Sequence, residues 1–525
     1  MPVPDDDVPV LIVGGGPVGL TARALLRRWG VRTVLVEKHR ELSPFPRSRL
    51  VNVRSMEVFR HLGLGAVVAD AAFAPEYGRI RFRDTLHDRD FATAAMVGVH
   101  DPVPESPVTG VVTSQDRLEP MLLAASDAPL RFGVELVGLA EDADGVVARL
   151  VDRDSGAETQ VRARYVLAAD GAHSTVRDLL GIGVTGPGEL GGFTTVVFDA
   201  DLDGRRGREP AGVYLTAHGT LMPLYPEGGW AWLGPTPEDA ATRDGWDDLV
   251  SRALGRPFAD VGADVLRVQH WVMNAFVADR FRGGRVLLAG DAAHAVPIIG
   301  GLGMNAGVAD VHNLCWKLAG VLHGWAGPRL LDTYEPERMP VALETLRQTV
   351  ANTKLVVEVQ TRRREQLEAD GGADAPIDLP WTERYFAQLG LVLGVAYDSD
   401  AVLADGGAAA PERSGDGTDY IPVPEPGHRM PHAWLTGYRS TLDACGEWFT
   451  VLTPDPKRWE PRSGGPWPLR LERLPEEHMA LCRLGWTGAL LVRPDGHIAA
   501  RWTDRPADDG VLEHALAAVT GVPVG

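Results

Sequence analysis

The stretch Val8–Lys38, "VPVLIVGGGPVGLTARALLRRWGVRTVLVEK", decides the fold. Val8 to Val13 is a short apolar run with β-branched residues, the pattern of a strand buried on both faces. Gly14-Gly15-Gly16-Pro17-Val18-Gly19 then satisfies GxGxxG. Gly14 permits a tight turn, Gly16 lets the backbone approach a pyrophosphate, and Gly19 lets helix and sheet pack closely. The helix that follows points free N–H groups and a positive dipole end at the phosphates. A second strand, Val31 to Val36, ends at Glu37, where a carboxylate accepts from ribose hydroxyls. The bland alternative is a glycine turn in an unrelated α/β fold, and the motif alone fits NAD or FAD. Context separates it from "GIGVTG" (181–186), which also matches GxGxxG but follows a helical stretch and reads as a loop.

A second unit of the same kind lies far downstream, in "RVLLAGDAAHAVPIIGGLGMNAGVADVHNLCWKLAG" (285–320). Arg285 to Ala289 is again a buried-strand run, and it stops at Gly290-Asp291. An acid at the carboxyl end of a parallel strand sits where such sheets bind ligands. A helix begins near Met304, with Val308, Val311, Cys315, Leu318 and Leu322 as one buried stripe. Between the two units, strand Tyr165 to Ala168 runs into Asp170-Gly171. Two strand–loop–helix units suit a long, two-ended cofactor.

The whole chain sets the bounds. Its 525 residues imply two to four domains. A net charge of −19 leaves nothing to drive counterion release, so nucleic acid is excluded as a partner. Of 52 basic residues only Lys38, Lys317, Lys354 and Lys457 are lysines. Cys315, Cys445 and Cys482 form no CxxC or zinc pattern, so no metal is expected and a reduced, cytoplasmic chain is the default. "MPVPDDDVPV" is acidic where a signal peptide is basic, and no apolar run is long enough for a bilayer, so no membrane partner is expected. Segments 367–380 and 404–419 read as linkers.

GxGxxG at the front, "AADGAHSTVR" in the middle, and "LLAGDAAHAVP", "GGLGMNAG" and "DVHNLCWKL" later resemble the single-component (class A) flavin-dependent aromatic hydroxylases, in the branch of phenol and aromatic polyketide hydroxylases. The resemblance implies an α/β chain: a Rossmann-like FAD-binding domain, an inserted β-sheet substrate domain and a C-terminal thioredoxin-like domain. The expected division is 1–75, 108–182 and 276–340 for FAD, 76–107 and 183–275 for substrate, 341–400 as a helical linker region, and 401–525 for the tail. It implies that Gly14, Gly16, Gly19 and Glu37 hold the ADP half of FAD, with Pro17, Val18, Lys38 and Pro297 also along the cofactor. Arg47 and Gln115 match residues that reach FAD. Asp170 lies near the pyrophosphate and is tied to nicotinamide use, Asp291 bonds the ribityl chain, and Gly303, Met304 and Asn305 line the flavin's pyrimidine edge. For Arg47 and Gln115 the structural alternatives are a surface ion pair and a polar core residue. NADPH or NADH reduces FAD, dioxygen adds at carbon 4a, and the hydroperoxide gives one oxygen atom to a phenol-like ring. Pro297 is followed by Ile298-Ile299, a bulkier apolar wall than relatives often carry.

Residues 192–275 alternate like strands and are rich in aromatics. Tyr214, Met222, Tyr225, Trp230 and Trp232 are candidates to face a small aromatic substrate, with core packing as the alternative. No catalytic acid or base is assigned. "WAWLGP" (230–235) approaches the W-x-W-x-I-P motif of flavin-dependent halogenases, but no lysine looks placed to carry a halogen. Two further readings stay open: Baeyer–Villiger oxygenation on the same scaffold, and a non-catalytic FAD-binding protein. Residues 336–368 read as one or two long helices. The tail shows strands "WFTVLT" and "GALLVRPDGHIAARW" with a turn at Pro494-Asp495-Gly496. Lacking CxxC, it is expected to be structural or to contact a second copy in a homodimer.

Overall fold

The structure is a computed structural model that describes residues 7–200, 202, 209–240, 245–368, 388–403, 419–461 and 465–523. The two linker tracts lie outside the described residues except at 367–368 and 419.

The first layer is a sheet in the order Arg282–Gly283, Val286–Leu288, Glu158–Ala168, Asp7–Val13, Thr33–Glu37, Leu130–Phe132, with the Val134–Glu141 and Val146–Asp152 hairpin joined to its side. The five strands from Val286–Leu288 onward run parallel. Val10, Leu11 and Ile12 are fully buried, as a strand covered on both faces requires. Helix Pro17–Arg28 opens on Pro17, whose missing N–H costs nothing in the first turn, and closes on Arg27 and Arg28, which favour its negative end. The acids at the ends of the strands, Asp170 and Asp291, therefore lie on the same rim as Gly14.

The second layer is an eight-stranded sheet ordered His294–Ala295, Asp264–Ala278, Val184–Asp199, Gly228–Pro235, Gly219–Tyr225, Val213–Thr216, Arg79–Arg83, Ala92–Ala95. Its first strand leaves directly from the Gly290–Ala292 turn, so the two layers are joined at the site itself. The end of "GIGVTG" is not loop: Val184 begins a 16-residue strand, because Val184 and Thr185 pair with Ala278 and Val277. Helix Tyr334–Glu368 runs unbroken through the 340/341 division.

Helix Gly303–His323 corrects another expectation. It is buried on nearly every side, including Asp310, Asn313 and Lys317, while Leu322 is only half-buried. The reason is a third layer laid over it. A sheet ordered Leu469–Arg473, Phe449–Thr453, Ala489–Val492, Ile498–Trp502, with helix Val511–Thr520, has one parallel and two antiparallel pairings. Its Pro494-Asp495-Gly496 turn forms as read, with Gly496 at φ +78°. That turn reaches the helix. Arg493 donates to Glu337 at 2.6 and 2.9 Å, Lys317 to Glu337 at 2.7 Å, and Trp316 and Asn313 to Asp495 at 3.2 and 3.3 Å.

Candidate active site

The glycine turn is built by exclusion. Gly14 has φ +107°, and a Cβ there would collide with the Ala169 carbonyl; one on Gly19 would collide with the Gly14 carbonyl. At Gly16 a Cβ would meet nothing within 4 Å, so the backbone is open to a ligand on that side. Gly16 precedes Pro17 as a helix cap without a side-chain partner. Glu37 Oε2 accepts from Gly15 N at 2.6 Å, and Oε1 accepts from His39 N and Nδ1 at 2.8 and 2.5 Å. Oε2, with one donor, has further acceptor capacity.

The other two strand ends are tied together behind this turn. Asp170 accepts from Ser174 Oγ at 2.6 Å and Val176 N at 3.0 Å, so its carboxylate anchors the short helix Thr175–Leu179. Burial raises its pKa, against those bonds and the charge of Lys38. Arg177 donates to the Ala172 and Ala292 carbonyls, bridging the Asp170 and Asp291 loops. Val18 is a spacer: a Cβ on Gly290 or Gly307 would strike its methyl.

Asp291 is open to water, yet protein surrounds it as densely as an interior group. Burial raises its pKa, opposed by His294 and Arg47. The turn beneath is fixed by Asp310, which accepts from Gly290 N at 3.0 Å, His294 Nε2 at 2.6 Å and Arg338 Nε at 2.8 Å. Burial pushes Asp310 upward, but His294 and Arg338 prevail and hold it at about 2. Asp310, Arg177 and His294 were missed in the sequence. An acid in a largely apolar helix, one turn after "GGLGMNAG", is the signal that marks Asp310.

Arg47 is exposed and acts by charge on both Asp291 and Glu119. Gln115 is buried, and its amide donates to Glu119 at 2.7 Å. Glu119 also accepts from Ser43 N, and burial lifts it to about 7. Arg47, Gln115 and Asp291 thus belong to one neighbourhood.

Gly303 begins the long helix with no side-chain cap, and Met304 packs against the core beside it. The Asn305 side chain is committed elsewhere. It donates to the Leu50 and Gly301 carbonyls at 2.8 and 2.7 Å and accepts from Asn52 N at 2.9 Å. The side chain therefore positions this loop, and what it leaves for a cofactor is the backbone N–H of the helix's first turn. Pro297 is buried, Ile298 is 43% exposed, and Ile299 packs with the Leu215, Phe82 and Val356 cluster.

Tyr214, Trp230 and Trp232 need correcting. They are 2%, 4% and 3% exposed and pack with Val250, Ala253 and Leu254 of helix Asp247–Leu254. The register puts them on one face and Met222, paired with Ala231, on the other. Met222 and Tyr225 cluster with Val197, and Tyr225 Oη donates to Asp116 at 2.5 Å. Among the described residues no cluster of three or more His, Cys, Asp or Glu is suited to a metal ion.

An uncapped helix behind open glycine backbone suits phosphates, Glu37 suits a ribose, and an unpartnered Asp291 suits a hydroxylated chain. The residues fit FAD. The FAD-binding domain family matches residues 7–349, and the C-terminal domain of aromatic-ring hydroxylases matches 423–523. The chain belongs to the FAD-dependent aromatic-ring hydroxylases. Among its relatives, tetracenomycin B2 monooxygenase-dioxygenase of Streptomyces olivaceus is 37% identical, with 98% of each chain covered. Aklavinone 12-hydroxylase DnrF of Streptomyces peucetius is 35% identical over 88% of this chain and 94% of its own. The structure of the monooxygenase PieE with FAD and substrate matches at TM-score 0.87 and 31% identity, covering 99% of this chain and 100% of that one. Aklavinone-11 hydroxylase, with FAD and aklavinone, matches at 0.83 and 33%, with the same coverage. This hydroxylase is an FAD-dependent monooxygenase with their mixed α/β fold. Family membership sets the halogenase alternative aside. So does Lys317, which is fully buried against Glu337.

Proposed function

We propose that this hydroxylase inserts one oxygen atom of dioxygen into a ring of a phenolic, polycyclic polyketide-type molecule, with NADPH or NADH as reductant. The observation that carries the reading is the likeness, over 99% of the chain, to a hydroxylase held with FAD and aklavinone. The chain's own geometry supports it. Tyr225, at the end of strand Gly219–Tyr225, is tied through Asp116 to the helix whose first residue is Gln115.

Bound FAD supplies the acceptance of hydride and the activation of dioxygen. Gly14, Gly16, Gly19 and Glu37 hold its ADP half, and Asp291 the ribityl chain. Arg177 and Asp310 keep the strand ends in register. Gly303 and Met304 present the helix's positive end, and Ile298 and Ile299 wall the reacting space from water. The residues at the site call for small molecules as partners. The three cysteines are free and buried, which supports a reducing cytoplasm as the place of action.

The test is a panel of polycyclic phenols scored for stimulated NADPH and NADH oxidation, with products identified by mass and NMR. One added oxygen in a new phenol supports the reading. One added oxygen in a ring ester means Baeyer–Villiger oxygenation instead.

A further inference from the structure

One buried cation is only partly used by the fold. Arg49 lies two residues after Arg47 and one before Leu50, whose side chain packs under Gly301. It is 9% exposed. Its Nη1 donates to the Gly212 carbonyl at 2.7 Å, and its guanidinium lies 5.4 Å from the Phe73 ring centroid. Nε and Nη2 are buried and have no partner. These two nitrogens form one edge of the guanidinium, the fork that grips two oxygens side by side.

The surroundings carry matching vacancies. Arg49 feels the charge of Asp116 and Tyr225 but shares no hydrogen bond with either, and Asp116 Oδ1 and Ser114 Oγ are also buried and unpartnered. Asp116 Oδ2 is taken by Tyr225. Arg117 stacks 4.5 Å from the Tyr225 ring centroid and pairs with Glu227, and Arg267 adds its charge to Tyr225 from strand Asp264–Ala278. Burial pushes the Arg49 guanidinium down to about 9, against the pull of Asp116 and Tyr225. A buried cation with an idle fork is costly unless an anion completes it.

We propose that Arg49, with Ser114 and Asp116 beside it, forms a subsite for a planar pair of oxygens carrying negative charge on the aromatic substrate. Arg49 takes the pair on its Nε–Nη2 edge. Asp116 Oδ1 accepts from a neighbouring hydroxyl, and Ser114 Oγ completes the set. Two groups offer that pair: an ionised ring hydroxyl beside a ring carbonyl, and a carboxylate. The proposal rests on the aromatic-hydroxylase reading and deepens it: the enzyme selects for an acidic oxygen and holds it ionised.

The experiment uses FAD-loaded enzyme and three probes: 1-hydroxyanthraquinone, its 1-methoxy ether and anthraquinone-2-carboxylate. Binding is followed by flavin fluorescence, and ionisation of the hydroxy probe by its visible absorbance across pH. In the wild type the bound hydroxy probe should ionise at lower pH than in water. Arg49→Met should abolish that shift and weaken the probe about a hundredfold or more, the loss of two charge-assisted hydrogen bonds. The methoxy ether should change less than about twofold by the same measure, and FAD content should hold. Arg49-dependent loss confined to the carboxylate probe would assign the subsite to carboxylates. Equal binding of both acidic probes to wild type and Arg49→Met would overturn the proposal. Should that variant fail to fold, the wild type decides. An unshifted ionisation, with no preference for either acidic probe over the ether, overturns it equally. Wild type that carries FAD but binds none of the three probes would instead break the aromatic-substrate reading.

Discussion

Two turns of this chain set an aspartate beside a glycine against the same long helix. Asp291 lies by its first turns and Asp495 near its middle. Asp495 is saturated: Arg493, Trp316, Asn313 and the His497 N–H all donate to it. Asp291 feels only the charges of His294, Arg47 and Asp310. The environments push the two carboxyls in opposite directions. Arg493 and His497 overcome burial and hold Asp495 well down, whereas burial wins at Asp291 and raises it. Saturation marks a group that the fold has used up. An open acid at a strand end is held ready for something the fold does not contain.

The contrast is broken most severely at the saturated end. Glu337→Ala leaves Lys317 and Arg493 buried with Asp495 as their remaining anion. Removing one partner of such a cluster costs about 3–5 kcal/mol. Urea unfolding should show this loss, and FAD affinity of the folded fraction should not change.

Acid sharpens the comparison next. Asp310 is held at about 2, below its ordinary 3.8. Its ionised form therefore stabilises the fold above pH ~4, and that stability, roughly 2–3 kcal/mol, is lost as pH falls from about 4 to 2. Asp310→Asn should flatten unfolding free energy across that window. Asp291 has the opposite sign, because its raised folded pKa means stability declines as pH rises above ~4. Asp291→Asn should raise neutral-pH stability, and a fall would show that the acid is already satisfied.

Asp291→Ala tests the open end directly. Losing a charge-assisted bond costs about 1.5–3 kcal/mol, or roughly ten- to a hundredfold in FAD affinity by titration into apoprotein. The melting temperature without FAD should not drop. The smallest change in stability belongs to Ile298→Ser. Because Ile298 is 43% exposed, stability should stay within about 0.5 kcal/mol. Hydrogen peroxide released per NADPH consumed should rise, since a polar wall admits water.

What could be read from the chain was local. Gly14, Gly16, Gly19 and Glu37 lie within one strand–turn–helix–strand unit, and period and spacing suffice to place them. The acids at 170 and 291 follow short apolar strands and are legible for the same reason. Tyr214, Trp230 and Trp232 were misplaced because alternation tells two faces apart without saying which one a later helix covers. Here Asp247–Leu254 covers theirs. Lys317 and Asn313 lie off the apolar stripe and nothing near them in the chain marks them as buried, because Asp495 lies some 180 residues further along. Arg49 was hidden in "PRSRL": nothing in a run of arginines shows which one has an empty fork.

In this hydroxylase the open cradle serves oxygen transfer to an aromatic ring. The most direct measurement is mass spectrometry of product formed from a polycyclic phenol by FAD-loaded enzyme and NADPH or NADH under isotopically labelled dioxygen. The expected result is one labelled oxygen per product, with reductant consumed in step. Stoichiometric FAD without label in any phenol of the panel would contradict it.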